Sequence, residues 1–168
     1  MIELTLLSEA DTKRLGSSLG ACVRRGDTVL LSGEMGTGKS VLTRAAARSL
    51  GICGAVPSPT FTILNIHQGD KMKLYHFDLY RIEEEEAFYE AGLEEFLPPA
   101  DGVAFVEWPD QVPSALPEDA LCIELCYTGN EGGRQARISS ATPKGDHLLL
   151  RLARALDLTR EDLEESKP

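Results

Sequence analysis

The octapeptide Gly33-Glu34-Met35-Gly36-Thr37-Gly38-Lys39-Ser40 fits the pattern G-x-x-x-x-G-K-[ST], the phosphate-binding loop. Its glycines let the backbone curl until successive N–H groups point inward, which sets Met35, Gly36, Thr37 and Gly38 around phosphate oxygens. Lys39 supplies a point charge for the β- and γ-phosphates, and the Ser40 hydroxyl stands where Mg²⁺ is ligated. A helix opening at Lys39 adds unpaired N–H groups and the positive end of its dipole. Such a turn needs a strand before it and a helix behind it. Val29-Leu30-Leu31 reads as the buried strand. Leu42, Ala45, Ala46, Ser49 and Leu50 then recur on one side at helical spacing, and Gly51 is a stop signal.

The rest of the chain arranges itself around that unit. Ile2, Leu4 and Leu6 alternate like a strand. Ser8 with Asp11 three residues on reads as a helix start, followed by the stripe Leu15, Leu19, Cys22 and Val23. Gly54, Pro57 and Pro59 mark a loop. Two β-rich runs follow, 60–67 and 73–78, with Phe61, Ile63 and Ile66 facing Leu74, His76 and Phe77. So short a connection makes the pair antiparallel, and the sheet mixed. Ile82 to Glu86 opens a helix reaching about Ala91, its acids suiting the dipole. A turn or short helix over 92–99 and a buried strand from Val103 to Val106 come next. Leu121 to Tyr127 and Gln135 to Ser140 read as an outer hairpin, and Asp146 to Leu156 as a helix with Leu148, Leu149, Leu152, Ala153 and Leu156 inward. The pattern predicts an α/β fold of P-loop NTPase type: three layers, a mixed central sheet flanked by helices. One domain spans 1–156, and 157–168 is an acidic, loosely held tail.

Charge narrows the function. With 17 Lys and Arg against 27 Asp and Glu, the net charge is −10. A protein that grips nucleic acid alone carries a basic stripe, because affinity comes from neutralising phosphates. The cations here are scattered along the sequence, which favours a protein partner. The N-terminus lacks the basic and apolar segments of a signal peptide, and no apolar run is membrane-length, so a cytoplasmic location is expected. Cys22, Cys53, Cys122 and Cys126 have no zinc-like spacing and read as reduced, buried thiols, with Cys122 and Cys126 on one strand face as core filling.

Phosphate chemistry also needs a carboxylate at the metal. Glu107, at the end of the strand Val103 to Val106, and Asp78, closing the strand Leu74 to Phe77, are the two candidates. A kinase would bring an arginine-rich lid, for which only Arg134 and Arg137 beside Gly132-Gly133 are available. A nucleotide-gated binding module without turnover is a further reading. No Asn-Lys-x-Asp motif occurs, which disfavours guanine.

Five linked motifs follow one another: the phosphate loop, Ser58-Pro-Thr-Phe-Thr62, Tyr75-His-Phe-Asp-Leu-Tyr-Arg81, Gly92-Leu-Glu-Glu-Phe96 and Val106-Glu-Trp-Pro-Asp110. The series resembles the TsaE (YjeE-type) ATPases of bacterial tRNA threonylcarbamoyladenosine synthesis, over roughly Ser8 to Leu125. The resemblance implies a small Mg²⁺-dependent ATPase that binds ATP and resets the TsaD and TsaB proteins. Those proteins place a threonylcarbamoyl group on adenosine 37 of tRNAs reading codons that begin with A. The ATPase meets tRNA only through that complex. Turnover is expected to be slow alone, since no arginine finger is assignable. The resemblance further implies that Met35 to Ser40 hold the phosphates and that Lys39 acts on the β- and γ-oxygens. It makes Ser40 a metal ligand in place of the more usual threonine, and Glu107 the Walker-B-type acid. Asp78 becomes a second metal-site acid, and Thr12 a residue that either touches nucleotide or is an ordinary first-turn threonine. Thr60 is open to two readings, γ-phosphate sensor or strand start. Trp108 is open to a place beside nucleotide or in the core.

Overall fold

The computed structural model describes residues 1–129 and 132–158, so the expected tail lies mostly outside the described residues. In chain order the elements are β1 (Ile2–Leu6), α1 (Glu9–Cys22), β2 (Thr28–Ser32), α2 (Lys39–Ser49), β3 (Leu64–Gln68), β4 (Lys73–Asp78), α3 (Glu85–Glu90), β5 (Gly102–Glu107), β6 (Leu121–Tyr127), β7 (Arg134–Ser140) and α4 (Pro143–Ala155). A seven-stranded mixed sheet runs β1-β7-β6-β2-β5-β4-β3. Strand β2 is parallel to both β5 and β6, and β5 to β4, while β3, β7 and β1 join antiparallel.

Burial explains this order. All six residues of β5 are buried, as a strand covered on both faces requires. One face carries Val29, Leu31, Phe105 and Ile123 beneath Leu15 and Leu19 of α1, Leu42 and Ala46 of α2 and Leu148 and Leu152 of α4. The other carries Tyr75, Phe77, Ala104 and Val106 beneath Leu79, Ile82, Phe88 and Leu93. The result is three layers. Among the described residues no helix is long and apolar enough to cross a membrane.

Several sequence expectations hold in detail. Ser8 and Asp11 form a capping box, Asp11 N–H donating to Ser8 Oγ at 3.3 Å and Ser8 N–H to Asp11 Oδ2 at 3.0 Å. Others need correction. Strand β3 begins only at Leu64, so Thr60 does not start a strand, and Phe61 is 82% exposed rather than packed. The 121–140 hairpin is not outer: β6 lies against β2, and β1 closes the edge, because the central strand needs a neighbour on each side. The buried face of β6 is Leu121, Ile123 and Leu125, leaving Cys122 and Cys126 half-buried opposite them, and Cys53 is exposed. Burial nevertheless raises the Cys22 thiol to about 11. In α2, Ser49 is exposed and Thr43 and Ala47 are inward instead. Helix α3 starts at Glu85 because Ile82 turns into the lower core, and α4 starts at Pro143 behind a Thr142 cap to Gly145 N–H at 3.2 Å.

Helices α1 and α2 touch through glycine. A Cβ at Gly20 would collide with Ala46 O and stand 2.8 Å from Ala46 Cα and 2.9 Å from Ser49 Cβ. Alanine there gains about 1 kcal/mol of helix propensity, yet overpacking costs about 1–3 kcal/mol. Gly20→Ala is therefore expected to lower the urea midpoint. A higher midpoint would mean that the helices separate without cost.

Parallel order also sets the location of the site. Leu31 pairs with Glu107, and Glu107 with Asp78, so the ends of β2, β5 and β4 arrive side by side. Carboxyl ends of parallel strands are where open α/β sheets place ligands.

Candidate functional site

The loop between β2 and α2 depends on glycine where φ is positive, 82° at Gly36 and 111° at Gly38. Helix α2 starts at Gly38 with no side-chain cap and no acid in its first turn. Its leading residues, Gly38, Lys39 and Ser40, line a cavity, and no side-chain oxygen caps their N–H groups. That cavity, about 370 Å³, is lined by Gly36, Gly38, Lys39 and Ser40 on one side and by Thr60, Asp78, Glu107 and Trp108 on the other. Apart from Thr37, the predicted loop residues and both predicted acids are thus brought together.

Lys39 Nζ donates to Gly33 O at 2.7 Å and Glu34 O at 2.9 Å and stands 4.1 Å from the centre of the Trp108 ring. Burial lowers the Lys39 pKa, with Glu107 and Asp78 opposing the shift. Ser40 Oγ donates to Glu107 Oε2 at 3.0 Å. Asp78 is held differently: Oδ2 accepts from Thr60 Oγ1 at 2.7 Å and Ser58 Oγ at 3.1 Å, and Oδ1 from Tyr80 N–H at 3.1 Å. It ties the 58–60 segment to the cavity wall.

Trp108 belongs to both of its readings, since it lines the cavity and also packs on the lower core, with φ at 60°. A left-handed backbone at a bulky residue is a strained arrangement of the kind that collects at functional sites. Tyr80 meets its ring at 5.0 Å between centroids. Two predicted residues lie outside the cavity lining. Thr37 is buried within the loop, its hydroxyl on Glu34 O at 2.8 Å. Thr12 is buried behind it, its methyl 3.3 Å from where a Cβ on Gly38 would stand.

Sequence reasoning did not anticipate the contribution of the β6–β7 hairpin. Tyr127 Oη donates to Met35 O at 3.0 Å, and Arg134 Nη2 to Gly36 O at 3.3 Å. The two residues are cross-strand partners, and Arg134 is further held by Gly132 O at 3.0 Å. An arginine next to a glycine turn was the only available signal. Arg137 goes elsewhere, to Glu3 and Glu124, both at 3.4 Å.

The donor set suits magnesium. Ser40 Oγ, Glu107 Oε2 and the Asp78 carboxylate are hard oxygens, and among the described residues no three His, Cys, Asp or Glu side chains form a closed metal cage. Mg²⁺ is commonly held by one or two carboxylates plus substrate phosphates, which such an open set matches.

A glycine turn from strand to helix, with an acid of the adjacent parallel strand on the hydroxyl that opens the helix, defines an α/β protein of the P-loop class. A family model described as "Threonylcarbamoyl adenosine biosynthesis protein TsaE" matches residues 6–136. Curated proteins named "tRNA threonylcarbamoyladenosine biosynthesis protein TsaE" are similar. The one from a Nostoc species is 34% identical, covering 83% of this chain and 86% of its own. The one from Treponema pallidum is 37% identical, covering 79% and 96%. The crystal structure of Bacillus subtilis YdiB superposes with a TM-score of 0.77 at 28% identity, over 92% of this chain and 97% of that one. The chain belongs to the TsaE family of tRNA threonylcarbamoyladenosine biosynthesis. The match runs past Leu125, to which the sequence resemblance extended, and takes in Arg134.

Proposed function

We propose that this chain is a Mg²⁺-dependent ATPase that drives or resets the TsaD–TsaB transferase in the cytoplasm, reaching tRNA only through that complex. The observation that carries the reading is the convergence of an uncapped helix N-terminus, Lys39 and the Ser40–Glu107 hydrogen bond on one cavity. Phosphates would be cradled by the N–H groups of Gly36 to Ser40. Magnesium would be held by Ser40 Oγ and Glu107, where it supplies neutralisation of phosphate charge. Glu107 is assigned the direct role because its oxygen already meets Ser40. Asp78 is assigned the outer one because its oxygens are engaged by Ser58, Thr60 and Tyr80. Thr60, oriented by Asp78, stands on the wall opposite the loop, where it can orient an attacking water.

The reading predicts slow phosphate release by the isolated protein and at least a several-fold rise on adding TsaD and TsaB. No rise, with tRNA modification intact in a Lys39→Ala background, would remove it. Arg134 bears on the phosphates through Gly36. A charged hydrogen bond is worth about 1.5–3 kcal/mol, so Arg134→Ala is expected to lower turnover by roughly one to two orders of magnitude. Arg137→Ala is the control. Equal rates for both variants would confine Arg134 to holding the loop.

A further inference from the structure

Beneath the cavity, on the face of β4 that carries Leu74, His76 and Asp78 in turn, lies a fully buried imidazole that none of the roles above uses. His76 Nε2 is 2.9 Å from Glu107 Oε1, the oxygen facing away from Ser40, and both side chains are almost wholly enclosed. Glu107 is thereby gripped from two sides, by the Ser40 hydroxyl on Oε2 and by the imidazole on Oε1. Among the described residues His76 Nδ1 has no partner.

We propose that His76 is a positioning residue that donates from Nε2–H to Glu107 Oε1 and fixes the carboxylate with Oε2 toward the metal site. The proposal rests on the ATPase reading for the metal, but the hydrogen bond itself does not. Two placements of the ring proton can be compared. With the proton on Nε2, the unmatched Nδ1 is a bare acceptor, the milder kind of buried orphan. With the proton on Nδ1, a buried donor is unmatched and Nε2 is an acceptor set against a carboxylate oxygen. A buried donor with no acceptor bears the desolvation penalty in full, so the first arrangement is favoured. Its consequence is mechanical. A carboxylate on a strand end has a free terminal torsion, and a fixed donor on one oxygen holds that torsion before metal arrives. Partners of this kind behind metal ligands typically change metal affinity by about 10–100-fold.

Two measurements test it. In metal-free, nucleotide-free wild-type protein labelled with ¹⁵N-histidine, His76 should show a proton-bearing Nε2. A pyridine-type Nε2 overturns the proposal. Next, His76→Leu and His76→Gln are titrated with Mg²⁺ in the presence of ATP, and with ATP in EDTA. The glutamine amide can extend a donor to the reach of the imidazole Nε2. His76→Leu should raise the Mg²⁺ half-saturation about 10–100-fold with ATP affinity in EDTA unchanged, and His76→Gln should recover most of it. An unchanged Mg²⁺ requirement in His76→Leu, or parallel loss of thermal stability and EDTA binding in both variants, assigns His76 to core packing and overturns the proposal. Absence of Mg²⁺–ATP binding and turnover in wild type would sink the ATPase reading instead, and the Nε2 proton assignment would stand apart from it.

Discussion

Replacing Lys39 by alanine should leave a folded protein whose ATP turnover falls by about a hundred- to a thousand-fold, the scale on which loss of one preorganised charge-stabilising donor is felt. Folding should survive because the buried Lys39 lines a cavity rather than packing into the core. Its two acceptors, Gly33 O and Glu34 O, are loop carbonyls that water can reach once it is gone. The same substitution gives an optical signal. Trp108 is the chain's single tryptophan, and Lys39 Nζ rests on its ring. The variant should therefore differ in resting emission, and wild-type emission should change as ATP draws Lys39 toward phosphate. Phosphate release and fluorescence titration check both. Unaltered turnover with altered emission would reduce Lys39 to a strut of the loop.

Glu107→Gln preserves shape and removes one buried charge. The amide oxygen can take the His76 Nε2–H while the amide N–H donates to the Ser40 hydroxyl, which also accepts, so the fold should hold while the metal loses its anionic ligand. Mg²⁺-dependent turnover is expected to fall by more than the roughly 10–100-fold in metal affinity that even outer-sphere partners cost, with ATP binding in EDTA retained. Complex assembly with TsaD and TsaB that needs ATP but tolerates this loss would favour the binding-module reading over the ATPase. A pH effect accompanies it. Burial already lowers the Lys39 pKa, and Glu107 is the larger of the two charges opposing that shift. Taking Glu107 away lowers it further, so Lys39 sheds its charge at lower pH. The alkaline fall in ATP affinity should move toward neutral pH in Glu107→Gln. A shift the other way would mean that Glu107 is not ionised beside Lys39.

Much of the architecture was legible in short-range patterns. Alternation at Ile2 to Leu6, the Ser8–Asp11 cap and the helical stripe of α1 are local chemistry, and each appears where the residues put it. The errors fall where long-range pairing decides. Thr60 to Ile63 are β-rich, yet Ile63 N–H bonds Pro59 O at 2.6 Å and the segment turns, because Asp78 captures the Ser58 and Thr60 hydroxyls. Cys122 and Cys126 share a strand face, as their spacing requires, but which face is buried depends on what covers the sheet.

The candidate site divides in the same way. A phosphate loop announces itself because its backbone curl demands glycine, lysine and hydroxyl at set offsets within one turn, and strand-end acids stand out against apolar runs. Those things the residues alone determined. That Glu107 rather than Asp78 meets Ser40, that Tyr127 and Arg134 cross from a distant hairpin to the loop, and that His76 lies behind Glu107 were decided only in three dimensions. Each is a contact between residues far apart in the chain, brought together by the strand order, which is set by which faces the helices bury, a quantity that no local pattern encodes.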